Sequence, residues 1–488
     1  MMQLTSSGKF TAEPRGNFGI VRGVTAGWAA SLGMHPHRTG RADSLQLAEA
    51  LRAAIRDGRL TAGSKLPSTR ALAQELGMAR GTVTRAYQQL TSEGFLLSRQ
   101  GAPTVVAERL TTEPPAQPTP AADPEPAPLW DFRPGRPDLS SFPRRDWLAA
   151  SRRALESASA EDLGYGDPQG HPALREALSD YLSRARAVVT SPDRIVICNG
   201  YSQALALLSR VLQDQGGKSI DFEDPSVPLL RSIPARLGLS VRGVPVDEKG
   251  LAVDEITGDA AVITPAHQYP LGVALSSARR TRLVKLARAG GLLVLEDDYD
   301  GEFRFDRPPI GAIQGLAPED VVYAGTASKT LAPALRLAWL AVPHRLVEPL
   351  RELKRESGGH APLVEQLTMA QLIRSGAYDQ HIRRSRAVYR KRRAALLEAL
   401  GGLRARHRPV PAGVSAGLHL TLLLDPRGEA EPDVLQRARD CSVGLDPLGA
   451  HWFHPGSHPG GLVLGYASPA GDAFEPALQA LLAVLEDR

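Results

Sequence analysis

Cysteine is almost absent from this 488-residue chain, with Cys198 and Cys441 the only two. That excludes a disulfide scaffold and leaves too few thiolates for a cysteine zinc site. Long apolar stretches are missing as well. No run approaches the ~18 residues of a membrane helix, and residues 1–10, MMQLTSSGKF, lack the apolar core of a secretory signal. A cytoplasmic protein is therefore the expectation. What remains is ordinary, with 42% hydrophobic and 23% charged residues, enough for a full core. The length alone points to about three compact units.

The net charge of +5 is unevenly placed. Counting Lys, Arg, Asp and Glu, residues 1–40 carry +3, residues 41–109 carry +4 and residues 110–488 carry −2. A basic module joined to a near-neutral body fits a small part that touches a polyanion, although a solvated basic face has the same composition. The two parts are separated at 111–128, TTEPPAQPTPAADPEPAP, which has seven prolines and no large apolar side chain. Such a stretch cannot pack a core and spans up to ~50 Å when extended. The expected domains are an arm of unknown role at 1–40, a basic module at 41–109, a linker at 110–129 and a body at 130–488.

Within 41–109 the periodicity is helical. Leu45, Ala48, Leu51, Ala54 and Ile55 recur at three- and four-residue spacing up to Gly58. Pro67 and Ser68 open a second helix ended by Gly77, and Thr82, Val83, Ala86, Tyr87 and Leu90 mark a third that stops at Gly94. Strand-like runs at 95–97 and 104–106 flank Arg99-Gln100-Gly101. Three helices and a two-stranded ribbon predict a winged helix-turn-helix. The third helix begins Ala79-Arg80-Gly81-Thr82-Val83-Thr84-Arg85. Its small residues permit close approach to base edges, its hydroxyls reach phosphates, and arginine binds guanine bidentately. Arg70 falls where the second helix would cross the phosphate backbone.

The stretch GRLTAGSKLPSTRALAQELGMARGTVTRAYQQLTSEGFLLSRQGAPTVVA resembles the GntR family of bacterial regulators. The resemblance implies that Arg70, Arg80, Thr82, Thr84 and Gly101 contact DNA. Arg85 lies one position beyond the commonest contact.

In the body, β-rich runs at 194–198, 218–223, 260–264, 292–297, 321–324 and 337–342 alternate with helical segments. That predicts an α/β fold with a mostly parallel sheet covered on both faces. Beyond 343 the pattern is helical at 346–356, 363–375 and 381–400. Three pieces carry chemistry. Lys329 follows a strand within YAGTASKT, near Thr326 and seven residues before Arg336, a setting for a Schiff base beside a phosphate. In EDDYD, Asp297 and Tyr299 share a strand face. Asp297 could keep a pyridine nitrogen protonated and Tyr299 could bond a ring hydroxyl, while a run of acids also suits a helix cap. In CNGYSQAL a strand turns at Gly200 into a helix opening with Tyr201 and Ser202, whose N–H groups suit a phosphate.

These pieces, with DFRPGRPDLSSFP, LGYGDPQGHPALREAL, TPAHQYPLG, EDDYDGEFRF, GTASKTLAPALRLAWL and HIRRSRAVYRKRR, resemble fold-type I pyridoxal-phosphate aminotransferases. Joined to the GntR module, they resemble the MocR subfamily of regulators. The resemblance implies pyridoxal 5′-phosphate as cofactor, held by Lys329 as a Schiff base. Asp297 would meet the ring nitrogen, Tyr299 the ring hydroxyl, and Ser202, Thr326 and Arg336 the phosphate. Tyr165 matches a tyrosine that reaches the phosphate from the neighbouring subunit of a head-to-tail homodimer.

Two departures stand out. Glu223-Asp224-Pro225-Ser226-Val227 has Val227 where relatives carry a ring-stacking aromatic, and Tyr269 stands where aminotransferases commonly have Asn. No substrate-carboxylate arginine can be placed. The implied function is a transcription regulator that binds operator DNA and senses an amine, an amino acid or pyridoxal phosphate itself. A working aminotransferase with an appended DNA-binding module is the alternative. His451, His454 and His458 in HWFHPGSH lack helical spacing and a completing ligand, so no metal is expected.

Overall fold

Two units divide the chain, Met1–Glu125 and Pro126–Arg488. The computed structural model describes residues 27–28, 43–99, 101–108, 127–305, 310–403, 410–425, 429–454, 456 and 458–486. The arm at 1–40 (apart from 27–28), Gln100 and the linker up to 126 lie outside the described residues.

The small unit has α1 (Asp43–Arg56), α2 (Thr69–Leu76), α3 (Arg80–Ser92) and a two-stranded antiparallel wing, β1 (Leu96–Leu97) with β2 (Val105–Val106). Its core has Leu47, Leu51, Leu72, Val83, Ala86 and Leu90 fully buried, whereas Leu45 of the expected periodic set is 62% exposed and Leu47 takes the inward place. The helix ends follow from local chemistry. The Ser68 hydroxyl accepts from the Ala71 N–H at 3.2 Å, and Gly77 closes α2 at φ 63°. Two contacts fix α3. Tyr87 donates to the Pro67 carbonyl at 3.0 Å, and Arg52 of α1 grips Glu93 through Nε at 3.0 Å and Nη2 at 2.9 Å.

The large unit is built on an eight-stranded sheet. Its strands are β3 (Ile195–Cys198), β4 (Ser219–Asp224), β5 (Ser240–Asp247), β6 (Gly250–Leu251), β7 (Ala260–Ile263), β8 (Leu293–Asp297), β9 (Val321–Thr326) and β10 (Ala338–Ala341). Their spatial order is β3-β10-β9-β8-β7-β4-β5-β6. Neighbours are parallel except that β10 runs against both β3 and β9, and β6 against β5. β3, β7, β8, β9 and β10 are buried along their whole lengths, as strands covered on both faces are, and their sequences are mostly apolar. β5, SVRGVPVD, escapes sequence reading because it lies near the sheet edge, largely exposed and interrupted by Gly and Pro.

Long helices follow at His344–Glu356, Leu363–Arg374 and Ala377–Gly402. Beyond them lies a second, four-stranded antiparallel sheet of Val410–Ala412, Leu420–Leu423, Gly461–Leu464 and Asp446–Pro447. The helical reading beyond 343 did not foresee this sheet, since its strands are only two to four residues long.

The direction of β10 shapes the site. Thr326 pairs with Ala338, and Ala338 with Cys198. The start of β10, just after Arg336, therefore lies at the edge where β3 and β9 end.

The cap supplies a check on the small unit. Ser68→Ala should lower its stability by about 1 kcal/mol, read as an earlier chemical-unfolding transition of the small unit with that of the large unit unmoved.

Candidate functional site

At that edge a cavity of about 380 Å³ opens, within the ~300–1,000 Å³ of small-molecule sites. Lys329, Asp297, Tyr299, Tyr201, Ser202, Thr326 and Arg336 all line it. The structure thus gathers seven residues drawn from three separated sequence segments. Gly200 does not line the cavity. It turns the chain at φ 94°, and a Cβ there would lie 3.0 Å from the Arg336 guanidinium carbon, so glycine lets that guanidinium approach. Tyr165 lies outside the cavity and is 96% exposed.

Lys329 Nζ donates to the Gly135 carbonyl at 2.7 Å. Burial holds its amine below the usual lysine range, opposed by the charges of Asp297 and Asp300. Burial likewise pushes Asp297 up to about 8, Lys329 pulling the other way. Both groups are thus driven toward their neutral forms in the protein alone. Glu223, also on the wall, is pushed up to about 7 by burial while accepting from the Thr264 N–H at 3.1 Å.

At the other end, Ser202 sits in the first turn of α4 (Tyr201–Asp214), whose leading N–H groups favour an anion. Thr326 Oγ1 accepts from the Ser328 N–H at 3.1 Å and donates to the Ser328 hydroxyl at 3.0 Å. Arg336 has φ 51°, the left-handed region that a non-glycine residue occupies at some cost. Among the described residues its guanidinium has no hydrogen-bond or ion-pair partner.

The acids of Glu296-Asp297-Asp298-Tyr299-Asp300 separate into different tasks. Glu296 accepts from the Ile313 and Gln314 N–H groups, each at 2.9 Å, which is the capping role left open by the sequence. Asp297 faces the cavity. Asp298 takes Arg186 Nε at 2.6 Å and the Tyr323 hydroxyl at 2.8 Å. Asp300 meets His267 Nδ1 at 2.9 Å. β8 ends at Asp297, so strand alternation does not itself carry Tyr299 to the cavity; the bend after the strand does. The Tyr299 hydroxyl donates to the His267 carbonyl at 3.0 Å.

Sequence reasoning named no role for several wall residues. Gly135, Thr264, Ser328 and His419 line the cavity, as do Ser226, Val227 and Tyr269 from the two departures. The quoted segments RPGRPD and TPAHQYPLG were the available signals for Gly135 and Tyr269, whereas nothing local marks His419. His451 is buried, meets Asp446 at 2.8 Å and packs edge-on against Tyr269 at 5.3 Å. His458 stacks on Trp452 at 3.8 Å. The three histidines of HWFHPGSH therefore do not converge. Elsewhere His267, Asp300 and His419 bring donor atoms within 4.8 Å of one another. Hydrogen bonds already engage them, His419 Nε2 with the Pro270 carbonyl at 3.1 Å and Asp300 with His267.

In the small unit Arg70, Arg80, Arg85 and Gly101 are exposed, and Gly101 turns the wing at φ 81°. Arg80 Nε reaches the Thr69 hydroxyl at 3.4 Å. Thr84 is half-buried with its hydroxyl donating to the Arg80 carbonyl at 2.9 Å, and Thr82 is only 8% exposed.

Residues 43–106 match the model of bacterial regulatory proteins of the gntR family, and residues 135–427 that of aminotransferase class I and II. The HTH-type pyridoxine biosynthesis transcriptional regulator PdxR of Corynebacterium glutamicum is 32% identical, over 93% of this chain and 98% of its own. The probable rhizopine catabolism regulatory protein MocR of Rhizobium meliloti is also 32% identical, over 86% of this chain and 89% of its own. Among solved structures, a kynurenine aminotransferase of Pyrococcus horikoshii aligns with TM-score 0.66 at 23% identity, over 74% of this chain and 91% of its own. LysN, an α-aminoadipate aminotransferase of Thermus thermophilus, aligns with TM-score 0.65 at 25% identity, over 73% and 92%.

Fold and site together define a DNA-binding helix-turn-helix unit fused to an aminotransferase fold, a fold associated with pyridoxal phosphate. The chain belongs to the HTH-type transcriptional regulators of the MocR type, GntR-family proteins that carry an aminotransferase-like domain.

The raised Asp297 carboxyl has a consequence for pH. Its folded value of about 8 exceeds its ordinary value of 3.8, so between these limits the folded state binds more protons than the unfolded. The Asp297 contribution to stability therefore falls as pH rises from about 4 to about 8. Asp297→Asn should flatten part of that fall, measured by chemical unfolding of ligand-free protein across the range.

Proposed function

We propose that this regulator binds pyridoxal 5′-phosphate in the large unit and that the cofactor, alone or with an incoming amine or amino acid, alters operator binding. The observation that carries the reading is the buried Lys329 amine, set in one cavity with the Asp297 carboxyl and the unpaired Arg336 guanidinium.

The residues fit the group. Arg336, Ser202, Thr326 and the first turn of α4 would hold a phosphate. Asp297 would take a ring nitrogen, and Tyr299, whose own proton goes to the His267 carbonyl, would accept from a ring hydroxyl. When bound, the cofactor supplies an aldehyde that condenses with amines and a ring that draws electrons. For its part, Lys329 offers an amine that burial shifts toward the neutral form, the form that acts as nucleophile. Val227 covers the cavity wall without π stacking. The exposed Tyr165 supports a role toward the cavity of a second copy in a head-to-tail homodimer, which would complete the phosphate end. The name of the Corynebacterium relative, a regulator of pyridoxine biosynthesis, favours the cofactor itself as the signal.

On the DNA side, Arg80 is proposed to read a base and Arg70, Arg85 and Gly101 to meet the backbone. Thr82 and Thr84 would act mainly by shaping the start of α3, since one is buried and the hydroxyl of the other is spent within the helix.

Purified protein supplied with pyridoxal phosphate should show a visible absorbance band that Lys329→Ala abolishes without unfolding the chain. Titrating operator binding with the cofactor and candidate amines should move affinity by about 5- to 150-fold, and Lys329→Ala should remove the amine response. Rapid keto-acid formation with operator affinity unmoved would favour the aminotransferase alternative.

For the small unit, Arg80→Ala should cost about 1–3 kcal/mol at one base position, while Arg70→Ala should weaken binding to all sequences and flatten the salt slope. Binding measured on an operator panel at several salt concentrations separates the two. Equal, sequence-independent losses would reduce Arg80 to a phosphate contact.

A further inference from the structure

Each charge on a ligand must find a partner when the ligand leaves water, so the wall of a cavity records which charges it can receive. Among the described residues, two cationic side chains line this cavity, Arg336 and Lys329. Lys329 is the amine that would meet the aldehyde. Arg336 stands beside Gly200, at the turn that opens α4 with Tyr201 and Ser202. The wall therefore offers one place for an anion, and a phosphate fills it. Two carboxyls, Asp297 and Glu223, share the same wall.

The rest of the wall gives a second anion nothing to bind. Phe222, Val227, Leu230, Val262 and Leu418 are apolar. The Tyr269 hydroxyl is spent on Asp446 at 3.3 Å. His419 has its Nε2 3.1 Å from the Pro270 carbonyl, which places the ring proton on Nε2 and leaves Nδ1 an acceptor. Burial, and then the neighbouring His267, keep that ring neutral. The arginines next in sequence to wall residues are committed elsewhere. Arg133, before Pro134, holds Asp131 through Nε and Nη2, each at 2.8 Å. Arg231, after Leu230, donates to the His451 and Trp452 carbonyls, each at 2.9 Å, and lies over the Phe453 ring at 4.3 Å. A carboxylate brought in besides the phosphate would meet carboxyls, an unprotonated ring nitrogen and apolar surface. An apolar amine, by contrast, would cover that surface and bring positive charge toward the two acids.

We propose that the second ligand of this cavity is a primary amine without a carboxylate, an alkyl or arylalkyl amine, and that the wall discriminates against the corresponding α-amino acid. The inference rests on the reading of the cavity as a pyridoxal-phosphate site and narrows the choice between amine and amino acid left open there.

The test uses the full-length, ligand-free protein without substitution and three conjugates that differ at one group. They are N-(5′-phosphopyridoxyl)-3-methylbutylamine, N-(5′-phosphopyridoxyl)-L-leucine and N-(5′-phosphopyridoxyl)-L-leucinamide. None has an aldehyde, so Lys329 forms no bond to them and calorimetry reads recognition alone. The amine conjugate should bind about tenfold or more tighter than the leucine conjugate, the cost of one unpaired charge. The leucinamide conjugate, as large as leucine but without the negative charge, should bind within about threefold of the amine conjugate. Leucine binding as well as the amine, or better, would overturn the inference while leaving the cofactor reading in place. Equal losses for leucine and leucinamide would overturn it too, by making the discrimination one of size. Failure of all three conjugates and of pyridoxal phosphate to bind would overturn the cofactor reading and this inference with it.

Discussion

An amine and a carboxyl kept out of water in the same cavity are the constraint around which the large unit is arranged. Lys329 and Asp297 each lose hydration on burial, and each is the other's main compensation. The sheet makes their meeting possible. β8 ends at Asp297, β9 leads into the turn that carries Lys329, and the two strands are parallel neighbours with Asp297 beside Ala324. The reversed strand β10 then brings Arg336 to the same edge. One antiparallel strand in a parallel neighbourhood thus places a cation at the C-terminal side, where helix N-termini already favour an anion.

The acidic run after β8 shows how closely packed charges avoid mutual repulsion. Consecutive carboxyls point to separate environments: backbone N–H groups for Glu296, the cavity for Asp297, a bidentate arginine for Asp298 and a histidine for Asp300. Burial pushes the Asp297 carboxyl up to about 8 and the Glu296 carboxyl up to about 7. Three acids are satisfied so that the fourth can be left for a ligand.

Much of this was legible in the sequence because it rests on local rules. Apolar runs bounded by glycine gave the central strands, and Ser68, Gly77 and Gly94 punctuated the helices of the small unit within two residues of where they start or end. Lys329, Asp297, Ser202, Thr326 and Arg336 could be named from strand–turn contexts and from resemblance. The residues that stayed hidden depend on tertiary contact. His419 reaches the cavity from the second sheet, and Gly135 contributes only its carbonyl, so neither has a local signature. Thr82 looked available on the recognition helix, yet the packing of α3 places it inward beside Val83. Periodicity marks a face approximately, and a small residue at its border falls on either side.

What the cavity can do depends on which charges change when it is filled. Burial pushes the Lys329 amine down and the Asp297 carboxyl up, so a ligand that brought charge into the cavity would alter protonation as well as occupancy. A regulator needs only that this change be worth more in one conformation of the protein than in another; a ligand with equal affinity for both shifts nothing, however tightly it binds. Turnover asks more, because the reacting atoms must also be held in a near-attack geometry. A ring bound as proposed would meet Val227, which covers it without π stacking, while Lys329, Asp297 and Arg336 line the same cavity. On the proposed reading, a cavity that joins Lys329, Asp297 and Arg336 with Val227 at the ring face is better matched to sensing than to repeated catalysis.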